Sequence, residues 1–244
     1  MLHLVSAATS LPYLREYLSN LVSLSGINLT FKRVLVVPES LSRHSITEAL
    51  LENQVHIISS PDGFNPVKHS RYIKTHLSQI LDCDAEDNKI VYHDTSISFK
   101  SIPACDNMKD IFYACDHPKR RSALLEVFYL IYNGKYSILR ALKILLKYPC
   151  LISNRSLTLG GVFGFDINNG AVNSLLSDWY HLLSDPIFLG RDQLALSMVI
   201  EKYQRKICIK DFSNVFDCIE YTPHNNKSKK SLASIIGFFR RIKC

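Results

Sequence analysis

The sequence contains no apolar run approaching the ~18–20 residues that a membrane-spanning helix needs. It also contains no C-x-x-C pair, no G-x-G-x-x-G and no G-x-x-x-x-G-K-[ST]. Each absence closes off a class. Without the glycine fingerprints, dinucleotide-binding enzymes and P-loop NTPases are disfavoured. The seven cysteines are odd in number and scattered, from Cys83 to Cys244. They form neither a disulfide framework nor a zinc module and read as reduced thiols. The first ten residues lack the basic n-region of a signal peptide, so a cytoplasmic protein is expected. Acidic residues are missing from one stretch in particular. Residues 225–244 hold six Lys and Arg and no Asp or Glu, while the rest of the chain carries 23 basic against 22 acidic groups. A net charge of +7 is therefore almost entirely a property of the C-terminus. That pattern suggests a local anionic target rather than a nucleic-acid footprint spread over the surface.

What is present is a chain of 244 residues, 47% of them hydrophobic, enough for one large domain. Residues 2–8 read as a first strand, Pro12 opens a helix to about Leu24, and Arg33 to Val37 is a second strand. Ser40 or Ser42 caps a helix running through Leu51, and Val55 to Ile58 is a third strand. Strands alternating with helices predict a mostly parallel central sheet flanked by helices. His69 heads the next amphipathic helix, which runs to about Leu81. This places Arg71 and Lys74 on one face near a helix N-terminus, where free N–H groups also favour anions. A plain solvated basic face is the alternative.

The stretch from Ile90 to Ser96 organises the rest. A β-branched and aromatic run ends in Asp94, followed by Thr95 and Ser96. In an α/β sheet, ligands bind beyond the carboxyl ends of the strands, and a carboxylate there can bring a divalent metal to a phosphate. Asp82-Cys83-Asp84 is a literal D-x-D, but it lies in an acidic turn before the strand and reads as a solvated loop. Asp94 has Ser96, not a second acid, two residues on.

Downstream, Ile111 to Ala114 reads as a strand and Ser122 to Tyr132 as a helix carrying Glu126. Lys135 to Tyr148 is a helix with Ile138, Leu142, Leu145 and Leu146 turned inward. Glycines inside the apolar run Leu157 to Phe165 mark a bulge or the close approach of a ligand to backbone. Asp192 lies at the start of a helix ending near Tyr203, where an N-terminal acid is also an ordinary stabilising feature. Ile207 to Ile209 and Val215 to Tyr221 read as short late strands. In the tail, Leu232, Ile235, Ile236, Phe239 and Ile242 form an apolar stripe among basic residues. It suits an interfacial helix on anionic lipid, or a terminal helix packed on its own domain. The division expected is a domain over 1–222 and a basic amphipathic tail over 223–244.

Four blocks in order resemble the TURAN-like and mucilage-related family of GT-A-type glycosyltransferases, known from plants with bacterial relatives. They are Arg71-x-x-Lys74-x-His76, Tyr92-x-Asp94, His117-Pro118-x-Arg120 with Glu126, and Trp179 followed by Arg191-Asp192-Gln193. The resemblance spans roughly residues 65–205. It implies a single GT-A-like domain that moves a sugar from a nucleotide-diphosphate donor, UDP-sugar favoured, to a hydroxyl of a glycan or lipid-linked acceptor. Hexosyl transfer in surface polysaccharide or lipopolysaccharide biosynthesis is the favoured setting.

Carried over by residue, Arg71, Lys74 and Asp94 face the nucleotide and diphosphate, with Asp94 holding Mn²⁺ or Mg²⁺. His224 and Lys227 of the tail are further candidates for the diphosphate. Asp192 is the catalytic acid near the acceptor, with Glu126 second and His117 beside them. Arg120, Arg191, Gln193 and Trp179 line the sugar or acceptor pocket. The expected location is cytoplasmic, with the tail resting on the inner face of a membrane and no nucleic-acid partner. The competing reading is a GT-A-like module that binds nucleotide or membrane without turnover.

Overall fold

Strand-forming runs rich in Val, Ile and Leu alternate with helices along the first part of the chain, and the fold follows that alternation. The computed structural model describes residues 2–22, 31–63, 65–81, 89–101, 108, 111–120, 122–153, 156–188 and 191–221. In chain order the elements are β1 (Leu2–Ala7), α1 (Leu11–Val22), β2 (Phe31–Pro38), α2 (Ser45–Glu52), β3 (Val55–Ser60), α3 (Pro66–Thr75), α4 (Leu77–Ile80) and β4 (Lys89–His93). They continue as β5 (Ile97–Phe99), β6 (Ile111–Asp116), α5 (Ala123–Tyr132), α6 (Ile138–Lys147), α7 (Cys150–Ser153) and β7 (Thr158–Asp166). The last are α8 (Gly170–Ser184), α9 (Asp192–Tyr203), β8 (Cys208–Asp211), α10 (Val215–Cys218) and β9 (Ile219–Tyr221).

The main sheet has seven strands in the order β3-β2-β1-β4-β7-β6-β8, and β5 pairs with β9 in a separate ribbon. Four pairings are parallel, and β7 alone runs antiparallel to both its neighbours. The class is the expected one: α/β, mostly parallel, with helices on both faces. From β1 the chain moves outward through β2 and β3, then returns to add β4 on β1's other side. This reversal opens a crevice at the carboxyl ends of β1 and β4, where α/β sheets bind ligands.

Period-2 alternation in β2 sorts the two faces. Val34 and Val36 join a core with Val5, Tyr92, Phe163 and Phe165, covered by α8 and α9. Leu35 and Val37 turn the other way onto α1 and α2, against Leu14, Tyr17 and Leu50. Phe163 is fully buried and its ring meets Tyr92, Phe112, Phe165 and Trp179 at centroid distances of 5.1–6.0 Å. A smaller satellite core joins α5, α6 and α7 to the start of α9.

Several boundaries differ from the sequence reading. Helix α3 starts at Pro66, not His69, because Asn65 caps it by accepting a hydrogen bond from the Val67 N–H at 3.0 Å. Arg71 and Lys74 therefore stand in the later turns, away from the helix N-terminus. Neither Ser40 nor Ser42 caps α2; a 3₁₀ turn covers Glu39–Leu41, and His44 Nδ1 accepts from the Ile46 N–H. Residues 215–218 form a helical turn, so only Ile219–Tyr221 of that late run is strand. In α6 the inward residues are Ala141 and Ile144, while Leu142 and Leu146 are 52% and 82% exposed. The acidic turn from Asp82, the 222/223 division and the basic tail lie outside the described residues. Among the described residues, no helix is long and apolar enough to cross a membrane.

Truncating Phe163 to Ala removes the ring around which four other aromatic side chains are arranged. We expect a loss of about 3–5 kcal/mol, read as a lower urea midpoint with an unchanged slope. A loss below 1 kcal/mol would show that the aromatic cluster is not the centre of the core.

Candidate active site

The strand register brings the site together. Asp94 directly follows β4, and its backbone N–H donates to the Gly161 carbonyl of β7 at 2.8 Å. Asp192 opens α9, whose N-terminus is fixed from behind by the Trp179 indole N–H donating to the Asp192 carbonyl at 3.1 Å. Between the two carboxylates stands the Lys74 ammonium. Its Nζ lies 2.8 Å from Asp94 Oδ1, 3.1 Å from Asp192 Oδ2 and 3.1 Å from the Gly160 carbonyl oxygen. These partners match the three N–H bonds an ammonium carries. The Lys74 side chain is 5% exposed, against 37% for Asp94 and 31% for Asp192. The cation is buried, and the two acids each show an edge to the cleft. Tyr92 completes the floor: its hydroxyl donates to Asp94 Oδ1 at 3.3 Å, and its ring lies 5.3 Å from Lys74 Nζ.

The paired glycines of β7 leave room for this arrangement. A Cβ on Gly161 would lie 2.9 Å from Asp94 Oδ2, and one on Gly160 would lie 3.2 Å from Asp192 Oδ2. The sequence reading expected a close approach to backbone here. What approaches is the pair of site carboxylates.

The electrostatics follow from these contacts. Burial alone would pull Lys74 down, but Asp94 and Asp192 outweigh it and hold the ammonium well above the usual lysine range. Burial pushes Asp192 up, yet Lys74 and Arg71 together keep it below the usual carboxylate range. Asp94 moves the other way: burial, with the like charge of Asp192 adding, raises it against the pull of Lys74. Asp192 is thus the firmly ionised acid and Asp94 the more readily protonated one.

The cleft over this core is about 170 Å³ and is lined by Ala7, Tyr13, Val67, Ser70, Arg71, Lys74, Asp94, Thr95, Arg191 and Asp192. Ala7 and Asp94 place it at the carboxyl ends of β1 and β4, in the crevice described above. Three cations face two carboxylates, which leaves an excess of one positive charge. The buried Arg191 Nε has no hydrogen-bond partner. A buried donor left unpaired costs about 1–3 kcal/mol; the excess positive charge of the lining is what favours an anion in the cleft. The first-turn N–H groups of α9 add to the same preference.

The expected residues separate into three groups. Arg71, Lys74, Asp94, Arg191 and Asp192 converge on the cleft. His117, Arg120 and Glu126 do not line it; they form a second cluster beside it, in which the Arg120 guanidinium bridges the His117 ring and the Glu126 carboxylate. His117 is drawn down to about 4 by burial and by Arg120, and its Nδ1 accepts the N–H groups of Lys119 and Arg120 at 3.1 and 3.2 Å. It organises a turn. Glu126 is buried against Arg120, and its charge reaches the cleft only through Arg191. Trp179, expected in the sugar or acceptor pocket, is fully buried and supports α9 from within the core, outside the cleft lining. Gln193 lies outside the cleft lining. His224 and Lys227 lie outside the described residues.

Mn²⁺ or Mg²⁺ was expected at Asp94. The position between the two carboxylates is already filled by an ammonium at 2.8 Å from Asp94. Ser96, where a D-x-D would place its second acid, is buried and does not face the cleft. Among the described residues, no three His, Cys, Asp or Glu side chains gather as a metal-holding set. The residues present do not fit a divalent ion here. The sequence reading did not single out Tyr13, Ser70 or Thr95 in the lining. Ser70 lies one residue before Arg71, and the helical pattern could have pointed to it.

No protein-family model matches the sequence, and no curated protein matches it. The TURAN-like resemblance therefore rests on its four sequence blocks. Among solved structures, the chain is similar to the galactosyltransferase LgtC, solved in complex with donor and acceptor sugar analogs. The identity is 12%, the coverage 85% of this chain and 72% of that one, and the TM-score 0.49. At that level the likeness says nothing about donor, acceptor or activity.

Replacing Lys74 with Met leaves Asp94 and Asp192 facing each other without a cation. Breaking a fully buried pair costs 3–5 kcal/mol; because both acids are about a third open and screened by water, we expect about 2–3 kcal/mol at pH 7. Without the ammonium, both carboxyl groups titrate higher in the folded than in the unfolded state. Such groups favour folding below their unfolded pKa, and that benefit is lost as pH rises through the folded value. The deficit of K74M should therefore widen from pH 4 to pH 7 in urea titrations. A deficit independent of pH would rule out the pairing as its source.

Proposed function

We propose that this chain is a glycosyltransferase acting from a nucleotide-diphosphate sugar, with a UDP-sugar as the favoured donor and a glycan or lipid-linked hydroxyl as acceptor. The observation that carries the reading is the cleft itself. Arg71, Lys74 and Arg191 outnumber the carboxylates there, at the switch point of an α/β sheet. A diphosphate answers that excess charge. The α/β class and the four-block resemblance support the same reading.

In the reaction, the acceptor oxygen forms a bond to the anomeric carbon. The bond from that carbon to the β-phosphate oxygen breaks, and its electron pair leaves with the nucleotide diphosphate. Arg71 and Arg191 stabilise that developing charge, which in such transfers is the large electrostatic contribution. The acceptor proton passes to a carboxylate at the cleft edge. Asp192, the firmly ionised acid, remains our assignment for taking the acceptor proton. Asp94, raised by burial, is the more readily protonated of the two. Lys74 offsets one of the two negative charges beside a dianionic donor.

A second reading, nucleotide binding without turnover, is favoured by one feature: Lys74 already engages both acids. Thermal unfolding with UDP, GDP, CMP and ADP, each in EDTA and in Mn²⁺, tests the shared step. A ligand that binds only the folded state adds about 2.7 kcal/mol at a hundredfold excess over its Kd. We expect one diphosphate to stabilise the protein equally in EDTA and Mn²⁺, and R191A to lose most of the shift. Release of free nucleotide from the matching nucleotide-sugar, abolished in D94N, separates transferase from binder. No shift with any nucleotide would sink both readings.

A further inference from the structure

We infer that the outward face of α5 and α6 is a docking surface for an anionic phospholipid bilayer. Among the described residues, every exposed large apolar side chain except Leu51 and Val67 lies between Leu125 and Ile152. On α5, Leu125, Phe128 and Tyr132 are each more than half exposed and follow i, i+3, i+7 spacing, so they share one face. On α6, Leu139, Leu142 and Leu146 do the same, with exposures of 62%, 52% and 82%. Each helix buries its opposite stripe in the same satellite core, through Val127 and Leu130 on one and Ala141 and Ile144 on the other. Both apolar stripes therefore point away from the domain.

Charge selects the occupant. From residue 127 to residue 165 the sequence has no Asp or Glu, yet it carries Lys135, Arg140, Lys143, Lys147 and Arg155. Lys143 and Lys147 are exposed on α6 itself, although Lys147 also meets Asp185 at 2.7 Å. Leu and aromatic side chains beside lysines, on helices too short to span a membrane, are the pattern of helices that lie in the interface of anionic lipid. A bilayer of anionic lipid offers charged headgroups to the lysines and an apolar layer to the leucines on the same face. This proposal rests on α5 and α6 and stands whether or not the cleft transfers sugar.

The test uses the full chain and sedimentation with vesicles of phosphatidylcholine, with or without phosphatidylglycerol. We expect binding to the anionic vesicles only. In L142S/L146S, whose side chains are already in water, the far-UV spectrum and urea midpoint should hold. Partitioning should weaken roughly tenfold or more, as removal of two membrane-buried leucines implies, and K143E should weaken it further. Unchanged binding in L142S/L146S would assign lipid contact to the tail and overturn the proposal. So would equal binding to neutral vesicles, no binding at all, or a dimer in analytical ultracentrifugation that this variant dissociates, since a second copy would then be the occupant.

Discussion

The Lys74 ammonium ties together four elements that are distant in sequence. It rises from the last turn of α3 to meet Asp94 after β4, Gly160 in β7 and Asp192 at the head of α9. Its net stabilisation is modest by any physical accounting. Two contacts near 3 Å gain of the order of 5–6 kcal/mol each at an effective dielectric near 20. Removing three charges from water costs several kcal/mol per ion. The terms largely cancel, so the cluster's value is geometric. Three acceptors around one ammonium permit few arrangements, and this one fixes where both carboxylates present their open edges.

That geometry dictates residues well beyond the cluster. β7 makes room for both acids: a Cβ at 161 would crowd Asp94 Oδ2 at 2.9 Å, and one at 160 would crowd Asp192 Oδ2 at 3.2 Å. β7 in turn is held at the correct height by Phe163, packed between Tyr92 and Trp179. Trp179 then reaches back to the Asp192 carbonyl. The aromatic core and the polar site are one mechanical unit. Tyr92 belongs to both, with its ring in the core and its hydroxyl on Asp94.

Asp94 was legible in the sequence because its signal is local: an acid immediately after a buried strand, at the end where such sheets bind ligands. The alternation of strands and helices was legible for the same reason. The role of Lys74 was not, because its partner Asp192 is 118 residues away and no spacing rule spans that distance. The spacing did set Arg71 and Lys74 on one helix face, but it misplaced the helix start by overlooking Asn65-Pro66, a capping residue followed by a proline suited to the first turn. Helix α6 misled for another reason. Its sequence is apolar on more than one stripe, so periodicity cannot say which stripe faces inward. The fold chose Ala141 and Ile144, the stripe that includes a small residue and so lets α6 pack closely on α5.

That choice gives the satellite helices two faces with different tasks. On α5, Glu126 turns inward to Arg120 and feels the charge of Arg191 at the cleft, while Leu125 and Phe128 turn outward. A helix with its side chains is about 10–12 Å across. Under the two proposals, a bilayer on the outer face would lie roughly one helix diameter from the residues that flank Arg191. A soluble acceptor would gain nothing from that arrangement, because diffusion brings it to the cleft from any direction. A hydroxyl on a lipid-linked glycan is confined to the membrane surface, and an enzyme acting on it must hold its cleft beside that surface. The outward leucines of α6, costly to expose in water, have a physical reason to remain there only if something apolar covers them. The basic residues beside them on α6 favour the bilayer, and the bilayer favours the lipid-linked acceptor over the free one.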